Sequence, residues 1–377
     1  MILKNCKIFD GIKFFDDLLD LEIKDNLIVK IGKDLDIGNK KALDLKGQIL
    51  TPGFIDIHSH GIGGYDFSYI NDKEDLDKIF DLYVSKGTTS LVPTSVTMPL
   101  EDINKLLEIF IDYEHPAFSG FHLEGPFINQ EKTGAHIIDY ILPPKISHFK
   151  EIEPKYYSLI KRVTIACELD EDFALAKFLN NLGILVSFGH TTCDAHSAID
   201  AFNNGYLLST HHFNAMPQLH HREVSITGAA LLHDEVSCEY IPDLYHIEEN
   251  MLKILFKLKK PSALIMVTDS IAASGMKDGK YKLGQMTVSV KDGLVTNEKG
   301  TIAGSSITMM QGVYNMIEKG FDQERVLRSA TSNPALYMKI EKKGFIKENY
   351  YADLNILSKK FQYLGGLFQG KTYNIEF

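Results

Sequence analysis

Phe54-Ile55-Asp56-Ile57-His58-Ser59-His60 is the stretch that decides the fold. Side chains along a strand alternate between faces, so Asp56, His58 and His60 share one face. The stretch is also the first of eight short apolar runs, at 54–58, 88–94, 118–123, 163–167, 185–188, 207–210, 238–241 and 264–268. Segments with helical 3–4 spacing fall between most of them, at 74–84, 103–111, 173–182, 195–202 and 248–258. Eight strands alternating with helices over about 280 residues match the size and order of a (β/α)8 TIM-like barrel. A doubly wound open sheet is the alternative, but no glycine-rich phosphate fingerprint follows the first run.

Outward from this region the pattern changes. Apolar and polar residues alternate over 18–23, 27–31 and 42–50, separated by turns such as Asp10-Gly11 and Asp25-Asn26. The same alternation returns at 344–346 and 352–357. These read as short antiparallel strands. The expected organisation is a small β-sandwich domain built from both termini, 1–50 together with 336–377, around a hydrolase barrel at 51–335.

Composition narrows the function classes. The 377 residues carry 40 Lys+Arg against 50 Asp+Glu, a net charge of −10, which gives no general attraction to nucleic acid or to an anionic membrane. No apolar run approaches the roughly 20 residues that span a bilayer. Lys4, Asn5 and Lys7 interrupt the N-terminal apolar residues, so no secretory signal is read there. The four cysteines form no CxxC pair and read as reduced thiols of a cytoplasmic protein.

A barrel places its functional side chains at the C-terminal ends of its strands. His58 and His60 end the first run, Glu124 follows the third, His190 the fifth, His211 the sixth and Asp269 the eighth. Taken singly each has a plain structural reading: Glu124 as a surface carboxylate, His190 as a hydrogen-bonded core residue. The His-x-His string recurs by chance in a chain with 14 histidines. Their common placement at one mouth outweighs those readings. Imidazoles and a carboxylate suit a divalent metal, and the absence of thiolate spacing argues against a zinc finger. Such an ion lowers the pKa of its water to about 7, and Asp269 is placed to move the proton. The expected chemistry is metal-assisted hydrolysis.

Longer strings sharpen this. Thr51-Pro-Gly-Phe-Ile-Asp-Ile-His-Ser-His-Gly61 resembles the first-strand signature of the amidohydrolase superfamily. His122-Leu-Glu-Gly-Pro-Phe-Ile128, Gly189-His-Thr-Thr192, Thr210-His-His-Phe-Asn-Ala-Met-Pro217 with His220-His-Arg222, and Val267-Thr-Asp-Ser270 resemble the N-acetylglucosamine-6-phosphate deacetylase family. The resemblance implies Glu124, His190 and His211 as principal metal ligands, His58 and His60 as holders of a second ion, and Asp269 as the catalytic acid–base. It implies one or two ions per subunit, zinc first, with iron, manganese, cobalt or nickel as alternatives. His246 would donate to the acetyl carbonyl. Ala135, His136, Asn214, Ala215, Arg222, His246, Ile302, Ala303 and Gly304 match substrate-contacting positions, and Arg222 would reach the neighbouring subunit's site in a homodimer. The implied substrate is N-acetylglucosamine 6-phosphate, with N-acetylgalactosamine 6-phosphate or another N-acyl amino sugar phosphate as the alternative. Two departures bear on that choice. Asp243-Leu244-Tyr245-His246 stands where the family usually has Asp-Gly-x-His, and Glu223-Val224-Ser225 where it tends to have Glu-Pro-Gly.

Overall fold

The computed structural model describes residues 1–70 and 72–375. Its centre is a barrel of eight parallel strands in chain order: Phe54–Ser59, Thr88–Ser95, Phe121–Glu124, Ile160–Ile165, Leu185–Phe188, Leu208–Ser209, Ser237–Tyr240 and Leu264–Met266. Every residue of Thr88–Ser95 is buried, as expected of a parallel strand covered on both faces. The chain beyond Met266 closes the ring at the C-terminal mouth. Ser59 pairs with Ser270, the Asp269 amide donates to the His58 carbonyl at 2.9 Å, and the His60 amide donates to the Ser270 carbonyl at 2.7 Å.

The outer helices follow the apolar spacing. Lys73–Ser85 is capped by Asp72, whose side chain accepts from the Asp75 amide, and buries Leu76, Ile79, Phe80, Tyr83 and Val84 as one stripe. Asp194 caps Ala195–Asn203 in the same way.

Several features depart from the sequence reading, beginning with the third strand, which starts at Phe121 rather than at 118. The fourth strand begins at Ile160 rather than at 163, because Arg162, which reads as a polar boundary, points into the barrel and is fully buried. The helix Ser225–Leu232 was not anticipated: it is buried on nearly all sides and so has no amphipathic stripe. An antiparallel three-stranded insertion, Gly279–Leu283, Met286–Lys291 and Leu294–Asn297, follows the eighth strand. Its signal was the two-residue loop Asp292-Gly293, with φ of 51° and 85°, the signature of a tight hairpin turn.

Both chain ends build the second sheet system. Ile2–Ile8 pairs antiparallel with Leu19–Lys24 and parallel with Ala42–Asp44 through its first half, then pairs parallel with Ile49–Pro52 through its second. The switch occurs at a bulge where Asn5 has a φ of 53°, the usual device for turning a strand from one sheet to another. The C-terminal strand Leu354–Leu357 pairs antiparallel with Ile49–Pro52 and joins the ends of the chain. The expectation of antiparallel pairing throughout is corrected: residues 33–41 return across the sheet, so the following strands run alongside the first. Residues 344–346 form no strand, since Gly344 turns at a φ of 79° against Ala335. Among the described residues no helix is long and apolar enough to cross a membrane.

Candidate metal centre and active site

Glu124, at the end of the third strand, is the hub of the site. Its Oε1 lies 2.9 Å from His211 Nε2 and 3.3 Å from His190 Nε2. Its Oε2 lies 3.2 Å from His60 Nε2 and 3.4 Å from His58 Nε2. Asp269 Oδ1 faces the same pair, 3.2 Å from His60 Nε2 and 3.5 Å from His58 Nε2. The six side chains come from five strand ends, and all are buried.

The backbone is bent to achieve this. His190, His211 and Asp269 have φ values of 48°, 32° and 48°, a left-handed region that non-glycine residues adopt at a cost of roughly 1–2 kcal/mol each. Each lies just after its strand, where the chain turns its side chain across the mouth.

The outward ring nitrogens of His60 and His190 are held in place, while that of His211 is buried without a hydrogen-bond partner. His60 Nδ1 lies 3.2 Å from the Thr94 carbonyl and His190 Nδ1 lies 2.7 Å from the Lys132 carbonyl. A carbonyl can only accept, so Nδ1 carries a proton in either charge state and Nε2 is the nitrogen left for a cation, as in ligating histidines. His136 is arranged the other way. Its Nδ1 accepts from the Thr97 amide at 3.0 Å, so its Nε2 carries the proton toward Glu124 Oε2, 3.4 Å away. That makes His136 a hydrogen-bond donor to the site rather than a ligand.

The electrostatics fit a divalent cation. Burial opposes charge on His58, His60, Glu124 and Asp269, yet these imidazoles and carboxylates hold one another ionised. His60 is pushed up to about 9 because Asp269 and Glu124 outweigh its burial. Asp269 is held down to about 2, its burial outweighed by His58 and His60. Glu124 lies well below the usual carboxylate range, its burial outweighed by the charge of His58 and by hydrogen bonds from His136, His190 and His211. His58 Nε2, fully buried, makes no hydrogen bond at all. Converging imidazole nitrogens, two carboxylates and an unpartnered His58 Nε2 are the donor set that a divalent metal takes up in place of protons.

Above the cluster opens a cavity of about 440 Å³. Ala135, His136, Asn214, Ala215, His246, Ile302, Ala303 and Gly304 all line it, together with His60, Glu124, His190, His211 and Asp269. His58 lies beneath its floor. Arg222 does not line it: this residue is exposed, with Nη1 2.8 Å from His221 Nε2. Of the two adjacent histidine pairs only His211 enters; His212 is buried against Ser209 Oγ at 2.8 Å, and His220 and His221 are exposed.

His246 is oriented by Asp243, whose Oδ2 lies 2.6 Å from His246 Nδ1, while Oδ1 accepts from the Tyr245 and His246 amides at 2.9 Å each. Leu244 keeps the turn with a φ of 66°, so the left-handed conformation survives without glycine. Tyr245 Oη donates to the Asp292 carbonyl at 2.8 Å and fastens the turn to the hairpin insertion.

Sequence reasoning missed Lys132, which lines the cavity, and three buried or half-buried charges behind the candidate ligands: Arg162, Glu168 and Glu239. For Lys132 the available signal was its place in the loop after Glu124. For the other three there was none, since a charge inside a barrel looks no different in sequence from one on its rim.

Residues 49–373 match the amidohydrolase family. The chain is 34% identical over 321 residues to the N-acetylglucosamine-6-phosphate deacetylase of Bacillus subtilis (strain 168), covering 82% of this chain and 81% of that one. It is 30% identical to the Lysinibacillus sphaericus enzyme of the same name, covering 95% and 94%. The crystal structure of N-acetylglucosamine-6-phosphate deacetylase from Thermotoga maritima superposes with a TM-score of 0.87 at 33% identity, covering 99% of both chains. A mutant of the Mycobacterium smegmatis enzyme, in complex with N-acetyl-D-glucosamine-6-phosphate, superposes with a TM-score of 0.91 at 26% identity, covering 100% of this chain and 99% of that one. The chain belongs to the amidohydrolase family, among the N-acetylglucosamine-6-phosphate deacetylases.

Proposed function

We propose that this chain hydrolyses the acetamide of N-acetylglucosamine 6-phosphate, releasing acetate and glucosamine 6-phosphate, as a cytoplasmic, homodimeric, metal-dependent deacetylase. The observation that carries this is the meeting of Glu124, His190 and His211 beside Asp269 at the floor of one cavity. Those three residues would hold the principal ion, and His58 and His60 with Asp269 a second. Zinc is the first choice for such a donor set. When bound, the cation supplies Lewis acidity, which acidifies water and polarises the amide carbonyl.

The chain's own residues do the rest. Asp269 accepts the proton of the attacking water at its carboxylate and delivers it to the amine as the C–N bond breaks. His246, with its Nδ1 proton engaged by Asp243, offers its Nε2–H to the carbonyl oxygen as charge develops there. Ala135, Asn214, Ala215 and the 302–304 segment shape the sugar's place. Gly304 allows close approach, because its φ of 67° and its contact with Ile271 leave no room for a Cβ.

The test is acetate release from N-acetylglucosamine 6-phosphate after chelation, with zinc, iron, manganese, cobalt and nickel added back singly. Turnover should vanish on chelation and return with at least one metal. Assays on the galactosamine epimer and on unphosphorylated N-acetylglucosamine, run in parallel, identify the preferred substrate. Failure to release acetate from any of the three would sink the reading.

A further inference from the structure

Behind the ligands, with no route to solvent, lies a pair of opposite charges that the hydrolytic chemistry does not use. Arg162, in the fourth strand, and Glu239, in the seventh, are both fully buried. The Arg162 Nη1 group donates to Glu239 Oε1. The other oxygen, Oε2, lies 3.1 Å from His58 Nδ1 and accepts from the His211 amide at 3.0 Å. The Glu239 main-chain carbonyl accepts from the next amide, that of His212, at 2.9 Å. One residue therefore brackets the strained backbone at His211 and touches the ring of His58 on its outer side.

A buried ion pair is weak evidence for stability, since two charges taken out of water cost about what their attraction returns. A different role is visible here. Histidines at metal sites commonly donate their outer N–H to an acceptor that fixes the tautomer. His60 and His190 have main-chain carbonyls for this, whereas the acceptor beside His58 is Glu239.

We propose that Glu239, oriented by Arg162, is the positioning residue that holds His58 with its proton on Nδ1 and its Nε2 turned to the cluster, and thereby equips the chain to bind a second cation between His58, His60 and Asp269. The proposal rests on the deacetylase reading for the principal site. It adds the residue on which occupancy of the second depends. Arg162 keeps the carboxylate from turning: Nη1 claims Oε1, and Nη2 is engaged by His122 Nδ1 at 3.0 Å. His122 is itself locked, with Nε2 2.7 Å from Thr164 Oγ1. The competing geometry is Arg162 Nη2 donating across 3.4 Å to His58 Nδ1, which would put the His58 proton on Nε2 and remove it as a ligand.

The two geometries predict opposite results in Glu239→Gln. Arg162 would claim the amide oxygen, so the amide NH2 would face His58 Nδ1 and the His211 amide. His58 would then accept at Nδ1 and carry its proton on Nε2. The expected result is a fall in the second cation's affinity on the order of 10–100-fold, read by metal analysis and calorimetric titration of the metal-free protein. Replacing the guanidinium as well, in Arg162→Met/Glu239→Gln, frees the amide oxygen to turn toward His58 and should restore uptake. A residue that merely supported folding would lower the melting temperature of the metal-free protein without changing the stoichiometry, and its double variant would be worse than either single one.

In the wild-type protein, 15N-histidine spectra of the metal-loaded form should show His58 protonated at Nδ1. This measurement stands even if the variants do not fold. Protonation at Nε2, two cations bound at wild-type affinity by Glu239→Gln, a folded double variant that stays deficient, or a wild type that takes up a single ion would each overturn the proposal. Acetate release by the wild type is a separate readout, so these outcomes leave the deacetylase reading standing.

Discussion

At the scale of single residues, the proposed reaction turns on where one proton goes. Asp269 lies 3.2 Å from His60 Nε2, lines the cavity, and is held down to about 2 with its burial outweighed by His58 and His60, so it is ionised and able to accept. Asp269→Asn keeps the shape and removes the proposed base. Turnover is expected to fall on the order of 10²–10⁴-fold, while His190, His211 and Glu124 still retain the principal ion. Acetate release and metal content, measured on the same preparation, separate the two effects; full activity would remove Asp269 from the mechanism. The residues at strand ends were legible in the sequence because the barrel puts chemistry at one mouth and because His, Glu and Asp are ligand types. What could not be read was the backbone under them. Nothing in Gly189-His190-Thr191 or Thr210-His211-His212 announces a positive φ at the histidine. That conformation is imposed by partners distant in sequence, such as Glu239 on the His211 and His212 amides.

At the scale of elements, the loop carrying His190 shows how one loop is fixed by two others. Glu168 sits in the 3-10 turn Cys167–Leu169 after the fourth strand. Its Oε1 accepts from the Thr192 amide at 2.7 Å and from Asn129 Nδ2 at 2.8 Å, and its Oε2 accepts from the Thr191 hydroxyl. The Asn129 amide in turn donates to the His190 carbonyl at 2.9 Å. The loops after the third, fourth and fifth strands are thus tied together around the candidate ligand His190. Cys167 and Cys193 lie beside Glu168, but the carboxylate is fully occupied by these donors, and the Cys167 thiol is pushed well above its ordinary range by its contact with Cys193 and by burial. The trio therefore reads as packing around the tie. Glu168→Ala leaves those donors unpaired and should cost about 1–3 kcal/mol, with weaker cation binding at the His190 side. Denaturant unfolding of the metal-free protein reads the first effect and metal titration the second; unchanged metal affinity would show that the loop holds its shape without the tie. Elements with an amphipathic stripe or alternation were legible from sequence. The helix Ser225–Leu232, apolar on nearly every face, and the fourth strand, with Arg162 turned inward, were obscured because burial on all sides erases the period that marks an element.

At the scale of the whole molecule, charge decides what the cavity lacks. The chain carries a net charge of −10, and Glu124, Glu131 and Asp269 line the cavity against a single lysine, Lys132. A phosphate dianion needs cationic partners to settle there, and an arginine fork is the side chain best matched to its oxygens. Arg222 is exposed and lies outside its own chain's cavity. Its service to a neighbouring copy, as proposed for a homodimer, makes a prediction that an arrangement within one chain does not. Arg222→Ala and Asp269→Asn should each be impaired as separate preparations when assayed below saturation. Mixed under conditions that let subunits exchange, half of the dimers would pair one variant with the other. Each such dimer holds one site with an intact Asp269 and an arginine supplied from across the two-fold axis. Equal mixing should therefore recover about a quarter of wild-type turnover. If Arg222 served its own chain instead, every site in every mixed dimer would lack either the base or the fork. Mixing would then give no more than the average of the two preparations, and the absence of recovery would refute the exchange.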